Sequence, residues 1–91
     1  MPRSDLNPTE QEHVRALLRM LRVKLGGWPS VQRALPMSGN ALWYAVSGRA
    51  EVSATLAFRV ARLLDAPISA VLTGTALPQG TCRHCGHANE G

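Results

Sequence analysis

The sequence is poor in aromatic residues and in cysteine, and it contains no long apolar run. Aromatic residues make up 4% of the chain, so leucine, valine and alanine must fill most of a core. No apolar stretch approaches the roughly 18 residues that a membrane span requires, and the first residues lack the apolar centre of a secretory signal. We therefore expect a cytoplasmic protein without a membrane partner.

Residue combinations typical of enzymes are missing as well. The sequence offers no paired carboxylates, no nucleophile with a matching base and no glycine-rich loop that would cradle a phosphate. We therefore predict that the protein is not an enzyme and takes no small-molecule substrate. What remains is a chain of 91 residues, 45% of them hydrophobic, which is enough for one small folded domain.

Basic residues outnumber acidic ones, and nearly all of them are arginine. Nine Arg and one Lys stand against six acidic residues, for a formal net charge of +4. Part of this excess forms a stripe on the first predicted helix (Arg15, Arg19 and Arg22), in which Glu12 can pair with Arg15. A positive balance permits binding to nucleic acid but does not by itself indicate it.

Apolar residues at helical spacing predict a compact all-α domain of five short helices. No segment alternates apolar and polar residues for long enough to predict a strand. The predicted elements are a first helix between Asn7 and Gly26, a second from about Pro29 to Leu35, a third from Gly39 to about Val46 behind Ser38, a fourth from Ser53 to Asp65, and a last turn over Ala70–Leu72 behind Ser69. The residues expected in the core are Val14, Leu17, Leu18, Leu21, Leu25, Val31, Leu35, Leu42, Ala45, Val46, Leu56, Val60, Leu63 and Leu64.

The predicted order places one helix before, and two helices after, a pair of short helices joined by a tight turn. The residues that carry this pattern are the apolar anchors Val31, Leu35, Met37 and Leu42, the cap Ser38, the closing Gly48, and the segments 56–64 and 68–72. Over residues 8–74 the chain therefore resembles the phage-repressor-like (XRE-type) helix-turn-helix family. It departs from the family pattern at Gln32, where a small residue is usual, and at Pro36, where a glycine is usual, so we expect the turn to differ in detail.

The resemblance implies a transcription regulator that binds double-stranded DNA sequence-specifically as a homodimer, with the third helix (39–46) in the major groove. The residues that would face base edges are Gly39, Asn40, Trp43 and Tyr44. Asn40 has the groups for a two-pronged bond to adenine, and the two aromatic side chains suit thymine methyl groups or phosphates. The candidates for phosphate contacts are Trp28, Ser30, Arg33, Ser38 and Arg49.

A second hypothesis concerns the same predicted surface. The third helix carries no Arg or Lys, although arginine to guanine is the commonest specific contact. Exposed aromatic side chains such as Trp43 and Tyr44 are also typical of protein interfaces. The alternative is therefore a protein–protein adaptor on the helix-turn-helix fold, with these aromatics at the contact and a metal-binding tail.

The tail at 82–91 carries the two cysteines, behind a linker at 75–81; residues 1–7 form an N-terminal arm. Cys82 and Cys85 resemble one knuckle of a zinc ribbon. His84 lies between them, and His87 follows two residues after Cys85. A closed site needs four ligands, so either the histidines join the cysteines or two chains supply two thiolates each and form a dimer. His13 is a remote further ligand, and a tail that binds no metal firmly is the remaining alternative. Cysteines so close in sequence are not expected to form a structural disulfide.

Overall fold

In a computed structural model of the protein, residues 6–35, 37–77 and 80 are described. These residues form five α-helices and no strand, which confirms the predicted all-α fold. The helices are α1 (Pro8–Leu25), α2 (Trp28–Ala34), α3 (Gly39–Ser47), α4 (Ala54–Leu64) and α5 (Ile68–Thr73). Within this described part, no helix combines the length and the apolar character needed to cross a membrane.

The helix ends follow the predicted capping residues in most places. The Asn7 side chain accepts from the backbone N–H of Glu10 at 2.8 Å, and the Glu10 carboxylate accepts from the N–H of Asn7 at 2.9 Å. This reciprocal pair is a capping box, and it starts α1. The hydroxyls of Ser38 and Ser53 each accept from the N–H three residues on, at 3.1 and 3.2 Å. Gly26 ends α1 with a left-handed φ of 88°.

The second helix begins at Trp28, within one residue of the predicted start near Pro29. The predicted cap of the last helix was wrong. The last helix begins at Ile68, so Ser69 lies inside it and is not its cap. Pro67 occupies the cap position with an extended backbone (φ −66°, ψ 147°) and forms no side-chain cap bond. The carbonyl oxygen of Pro67 accepts from the N–H groups of Ala70 and Val71, at 3.0 and 3.4 Å, so the helix begins one residue before the serine.

The core surrounds α1, which contacts each of the other four helices. The most deeply buried large side chains are Val14, Leu17, Leu18, Val31, Leu35, Val52, Val60 and Val71. Leu25 and Leu63, both expected in the core, are each 38% exposed. Leu25 is the final residue of α1, and Leu63 is the penultimate residue of α4. At these helix ends the neighbouring helices no longer cover the helix surface.

The packed region extends beyond both predicted domain boundaries. Leu6, assigned to the N-terminal arm, is buried, and Ala76 and Leu77, assigned to the linker, pack against the core. On the same side, a ring nitrogen (Nδ1) of His13 lies 2.7 Å from the carbonyl oxygen of Leu72. These contacts attach both ends of the helical domain to α1.

Candidate nucleic-acid interface

The outer face of α3 is a stripe of four exposed side chains: Asn40, Trp43, Tyr44 and Ser47. Trp43 is 53% exposed and Tyr44 is 45% exposed, while Leu42 on the opposite face is buried. The first three were predicted to face outward. Ser47 was not, although it stands four residues after Trp43 and therefore shares its helix face.

The remaining predicted base-reading residue, Gly39, lies at the edge of this stripe that faces α2. A Cβ atom at position 39 would stand 3.2 Å from the side-chain oxygen of Gln32, closer than most such contacts. The long side chain at 32 departs from the family pattern, and the glycine at 39 leaves room for it. Gly39 therefore has a packing role between α2 and α3.

The two aromatic side chains of α3 are stacked edge to face, and a cation from outside the helix covers one of them. The ring centroids of Trp43 and Tyr44 lie 5.3 Å apart at 67°. The guanidinium carbon of Arg49 lies 4.9 Å from the Trp43 centroid, within cation–π range. Arg49 thus supplies positive charge beside a helix that has no charged residue of its own.

A groove of about 260 Å³ separates α3 from the start of α2, and we call it the Trp groove. Its lining residues are Trp28, Gly39, Leu42, Trp43, Val46 and Ser47. The guanidinium carbon of Arg22 lies 5.6 Å from the centroid of the Trp28 ring. Each tryptophan of the groove therefore has an arginine over its ring.

A second groove of about 270 Å³ lies on the other side of α3, towards α4. Tyr44 and Ala41 of α3 line it together with Arg59 of α4. Arg59 is exposed and was not among the predicted site residues. Only the folded structure identifies Arg59 as a neighbour of Tyr44, because 15 positions separate the two residues in the sequence.

The predicted phosphate contacts occupy different surroundings. Trp28 is half-buried in the Trp groove, and Arg49 is exposed beside Trp43. Ser30 and exposed Arg33 lie on α2, where the guanidinium group donates to the serine hydroxyl at 3.4 Å. The hydroxyl of Ser38 accepts the cap bond of α3. The exposed guanidinium groups of Arg33 and Arg49 are the cations of this set.

Two arginines of the α1 stripe hold α3 in place. Arg15 Nε donates to the carbonyl oxygen of Ala45 at 2.8 Å, and a terminal nitrogen of Arg19 donates to that of Val46 at 3.4 Å. Their side chains are only 14% and 17% exposed. Glu12 pairs with both, at 3.6 and 3.0 Å, which confirms the predicted pair with Arg15. Cations at these carbonyls stabilise the C-terminal end of α3.

A buried glutamine extends this attachment. The Gln11 side-chain oxygen accepts from the N–H of Val52 at 2.9 Å, and its side-chain nitrogen donates to the carbonyl oxygen of Leu6 at 3.0 Å. Val52 belongs to the link between α3 and α4, so α1 fixes both the end of α3 and the chain that leaves it. The sequence pattern did not single out this residue.

The predicted metal ligands Cys82, His84, Cys85 and His87 lie outside the described residues, as does Pro36 of the predicted turn. Among the residues that are described, no group of three His, Cys, Asp or Glu side chains is placed to hold a metal ion. The ring of His13, the remote ligand considered, lies against Leu72.

No family model, no curated protein and no solved structure matches this chain in the comparisons made with known proteins. The resemblance to the phage-repressor-like family therefore rests on the residues that carry its pattern and on the order of the helices.

Proposed function

We propose that the protein is a sequence-specific transcription regulator of the phage-repressor-like (XRE-type) helix-turn-helix class. In this proposal α3 enters the major groove of double-stranded DNA in the cytoplasm. The observation that supports it best is that the exposed face of α3 is uncharged, with Arg49 over its Trp43 ring and Arg59 in the groove beside Tyr44, which Glu51 also lines. A recognition helix needs this arrangement, because its uncharged face contacts the base edges while cations beside it contact the phosphates.

Asn40 is the main candidate for hydrogen bonding to a base. It is exposed in the first turn of α3, which is the part of a reading helix that faces base edges. An asparagine amide donates to and accepts from adenine through two parallel bonds. Trp43 and Tyr44 follow on the same face and offer apolar contact.

Affinity in this proposal comes from arginines outside α3. Arg33 and Arg49 are exposed, and neither belongs to the set that holds α3 against α1. Contacts from such side chains to phosphates position the protein without selecting a sequence. Arg15 and Arg19 of the α1 stripe contribute little here, because their side chains are mostly buried.

The proposal includes a homodimer, and the surface that suits it lies on α4 and the turn after it. We call it the Phe58 patch; its residues are Phe58, Ala61, Arg62, Asp65, Ala66, Pro67 and Ile68. Phe58 is 55% exposed. Because the patch holds both Arg62 and Asp65, two copies related by a two-fold axis can pair opposite charges across buried apolar groups.

Binding to a random-sequence pool of duplex DNA tests the proposal, with enrichment of the bound fraction and sequencing. The wild type should enrich a preferred site, and Asn40→Ala should change the preferred sequence at one position. Thr9→Ala, an exposed polar residue in the first turn of α1, is the matched control and should leave the preference unchanged. Failure of the wild type to retain any duplex at micromolar protein would refute the proposal.

A protein–protein adaptor remains the second candidate, because α3 exposes two aromatic side chains and no charge. Aromatic anchors of this kind dominate many protein interfaces. In that case Trp43→Ala and Tyr44→Ala abolish capture of a protein partner, and no duplex is bound. Salt-sensitive binding to DNA would decide against the adaptor.

A further inference from the structure

The Trp groove is suited to an apolar group rather than to a polar one. Among the described residues that line it, two indole rings, Leu42 and Val46 supply nearly all the side-chain surface, and Ser47 supplies the only hydroxyl. That hydroxyl donates to the carbonyl oxygen of Tyr44 at 3.2 Å, so its proton is already engaged. The groove therefore offers contact area and few hydrogen-bonding groups to an occupant.

The surroundings of the groove favour an occupant that belongs to a polyanion. Arg22 lies over one of its tryptophans and Arg49 over the other, and none of the described residues that line the groove is acidic. An apolar group carried by a negatively charged polymer suits both the apolar lining of the groove and the two arginines beside it. In the major groove of duplex DNA, the apolar group displayed at the base edges is the C5-methyl group of a pyrimidine.

We propose that the Trp groove receives the C5-methyl group of a pyrimidine in duplex DNA, so that the protein identifies bases by a methyl group rather than by an arginine. The inference rests on the proposed function and adds the chemical group that the site selects. It accounts for the absence of Arg and Lys from α3, because methyl readout needs no charged donor. Thymine and 5-methylcytosine are the two sources of this group.

The groove is large enough for this occupant. A water molecule occupies about 30 Å³ of the liquid, and a methyl group is of similar size. The groove of about 260 Å³ therefore accommodates a methyl group together with the adjoining edge of the pyrimidine ring. Leu42, one of the lining residues, belongs to the core, so packing holds this part of the groove in place.

The test uses wild-type protein and a duplex library in which every thymine and every cytosine carries a C5-methyl group. After selection, each thymine of the enriched site is replaced by deoxyuridine and each 5-methylcytosine by cytosine, one at a time. Either change removes a methyl group and leaves the hydrogen-bonding pattern of the base pair intact. We expect removal at one position or more to weaken binding about fourfold, the effect of one buried methyl-sized group. The position that responds identifies the source.

Two variants test whether the Trp groove is the cause of a preference for methylated DNA. Trp43→Ala should bring the affinity ratio between methylated and unmethylated duplexes close to one while salt-sensitive binding persists. Leu63→Ala, which removes an exposed apolar side chain outside the groove, should keep the ratio. Equal affinities at every position, with salt-sensitive binding intact, would overturn the inference and leave the proposed function standing. Absence of binding to any duplex would overturn both, and a preference for methylated DNA that survives Trp43→Ala would remove the groove as its cause.

Discussion

The guanidinium group of Arg15 on α1 donates a hydrogen bond to the carbonyl oxygen of Ala45 on α3, at 2.8 Å. The same side chain donates to the carbonyl oxygen of Ala50, at 3.2 Å, just beyond the helix. A charged donor therefore satisfies backbone acceptors on both sides of the end of α3. This contact orients the helix so that Asn40, Trp43 and Tyr44 face outward.

Replacing Arg15 by Met should destabilise the fold by about 2 kcal/mol, because hydrogen bonds from a charged group contribute about 1.5 to 3 kcal/mol. Met retains most of the apolar stem, so the change isolates the guanidinium contacts. Urea unfolding followed by circular dichroism measures the difference. Arg33→Met, at an exposed position on α2, is the control and should change stability by less than about 0.5 kcal/mol. Equal stabilities of the two variants would contradict the assigned role of Arg15.

Gly74 and Gly48 form a matched pair for testing the contact between α1 and the end of α5. Both have a left-handed backbone, with φ of 84° and 85°. A Cβ atom at 74 would lie 2.9 Å from the His13 ring, whereas one at 48 would meet nothing within 4 Å. Gly48→Ala should cost about 1 kcal/mol from backbone strain alone, and Gly74→Ala should cost about 1 kcal/mol more from crowding.

A His13→Ala background provides the control for this comparison. The additional cost at position 74 should disappear in that background, because the crowded ring is gone. The cost at position 48 should stay as it is. Thermal unfolding of the single and double variants gives both values, and an additional cost at 74 that persists without the ring would show that crowding is not its source.

The Phe58 patch predicts how the dimer responds to substitution. Phe58→Ala should weaken self-association at least tenfold, because aromatic residues at the centre of an interface carry much of its free energy. Leu63→Ala, on the same helix but outside the patch, should leave it unchanged. Sedimentation equilibrium over a range of protein concentrations measures the dissociation constant. A wild type that stays monomeric throughout that range would contradict the dimer.

The Cys/His tail predicts a bound zinc ion, measured as metal content per chain after purification without added metal. One zinc per two chains indicates a four-thiolate bridge between Cys82 and Cys85 of both copies, and one per chain indicates a local site with His84 and His87. Cys82→Ser should abolish the metal in either case. No zinc in the wild type would refute the site.

The helix ends and most of the core were predictable because their signals are local. Asn7 and Glu10 are three residues apart, and the pattern of apolar residues along α1 repeats within one helix. Leu25 of α1 and Leu63 of α4 fit the apolar patterns of their own helices yet are exposed, because coverage at a helix end depends on neighbouring helices.

The roles of Gln11 and Arg15 depend on tertiary contacts, since the bond from Arg15 to Ala45 spans 30 positions of the sequence and that between Gln11 and Val52 spans 41. From the sequence, Arg15 could equally be an exposed surface charge or a donor to the backbone of α3. Only the packing of α1 against α3 distinguishes these two roles. The Trp groove is similar, because Trp28 and Trp43 share it only once α2 and α3 are packed.

The most direct test of the account is the affinity for duplex DNA as a function of salt concentration. We predict micromolar or tighter binding at low salt and a linear fall of log K with log salt, with a slope of about −0.9 for each phosphate contacted. Changing Arg33 and Arg49 together to Ala should reduce the magnitude of that slope by about 2. Lys24→Ala, which removes one exposed charge outside the proposed contacts, controls for net charge and should leave the slope nearly unchanged. The account is contradicted if the wild type binds no duplex at low salt, or binds with an affinity that salt does not change.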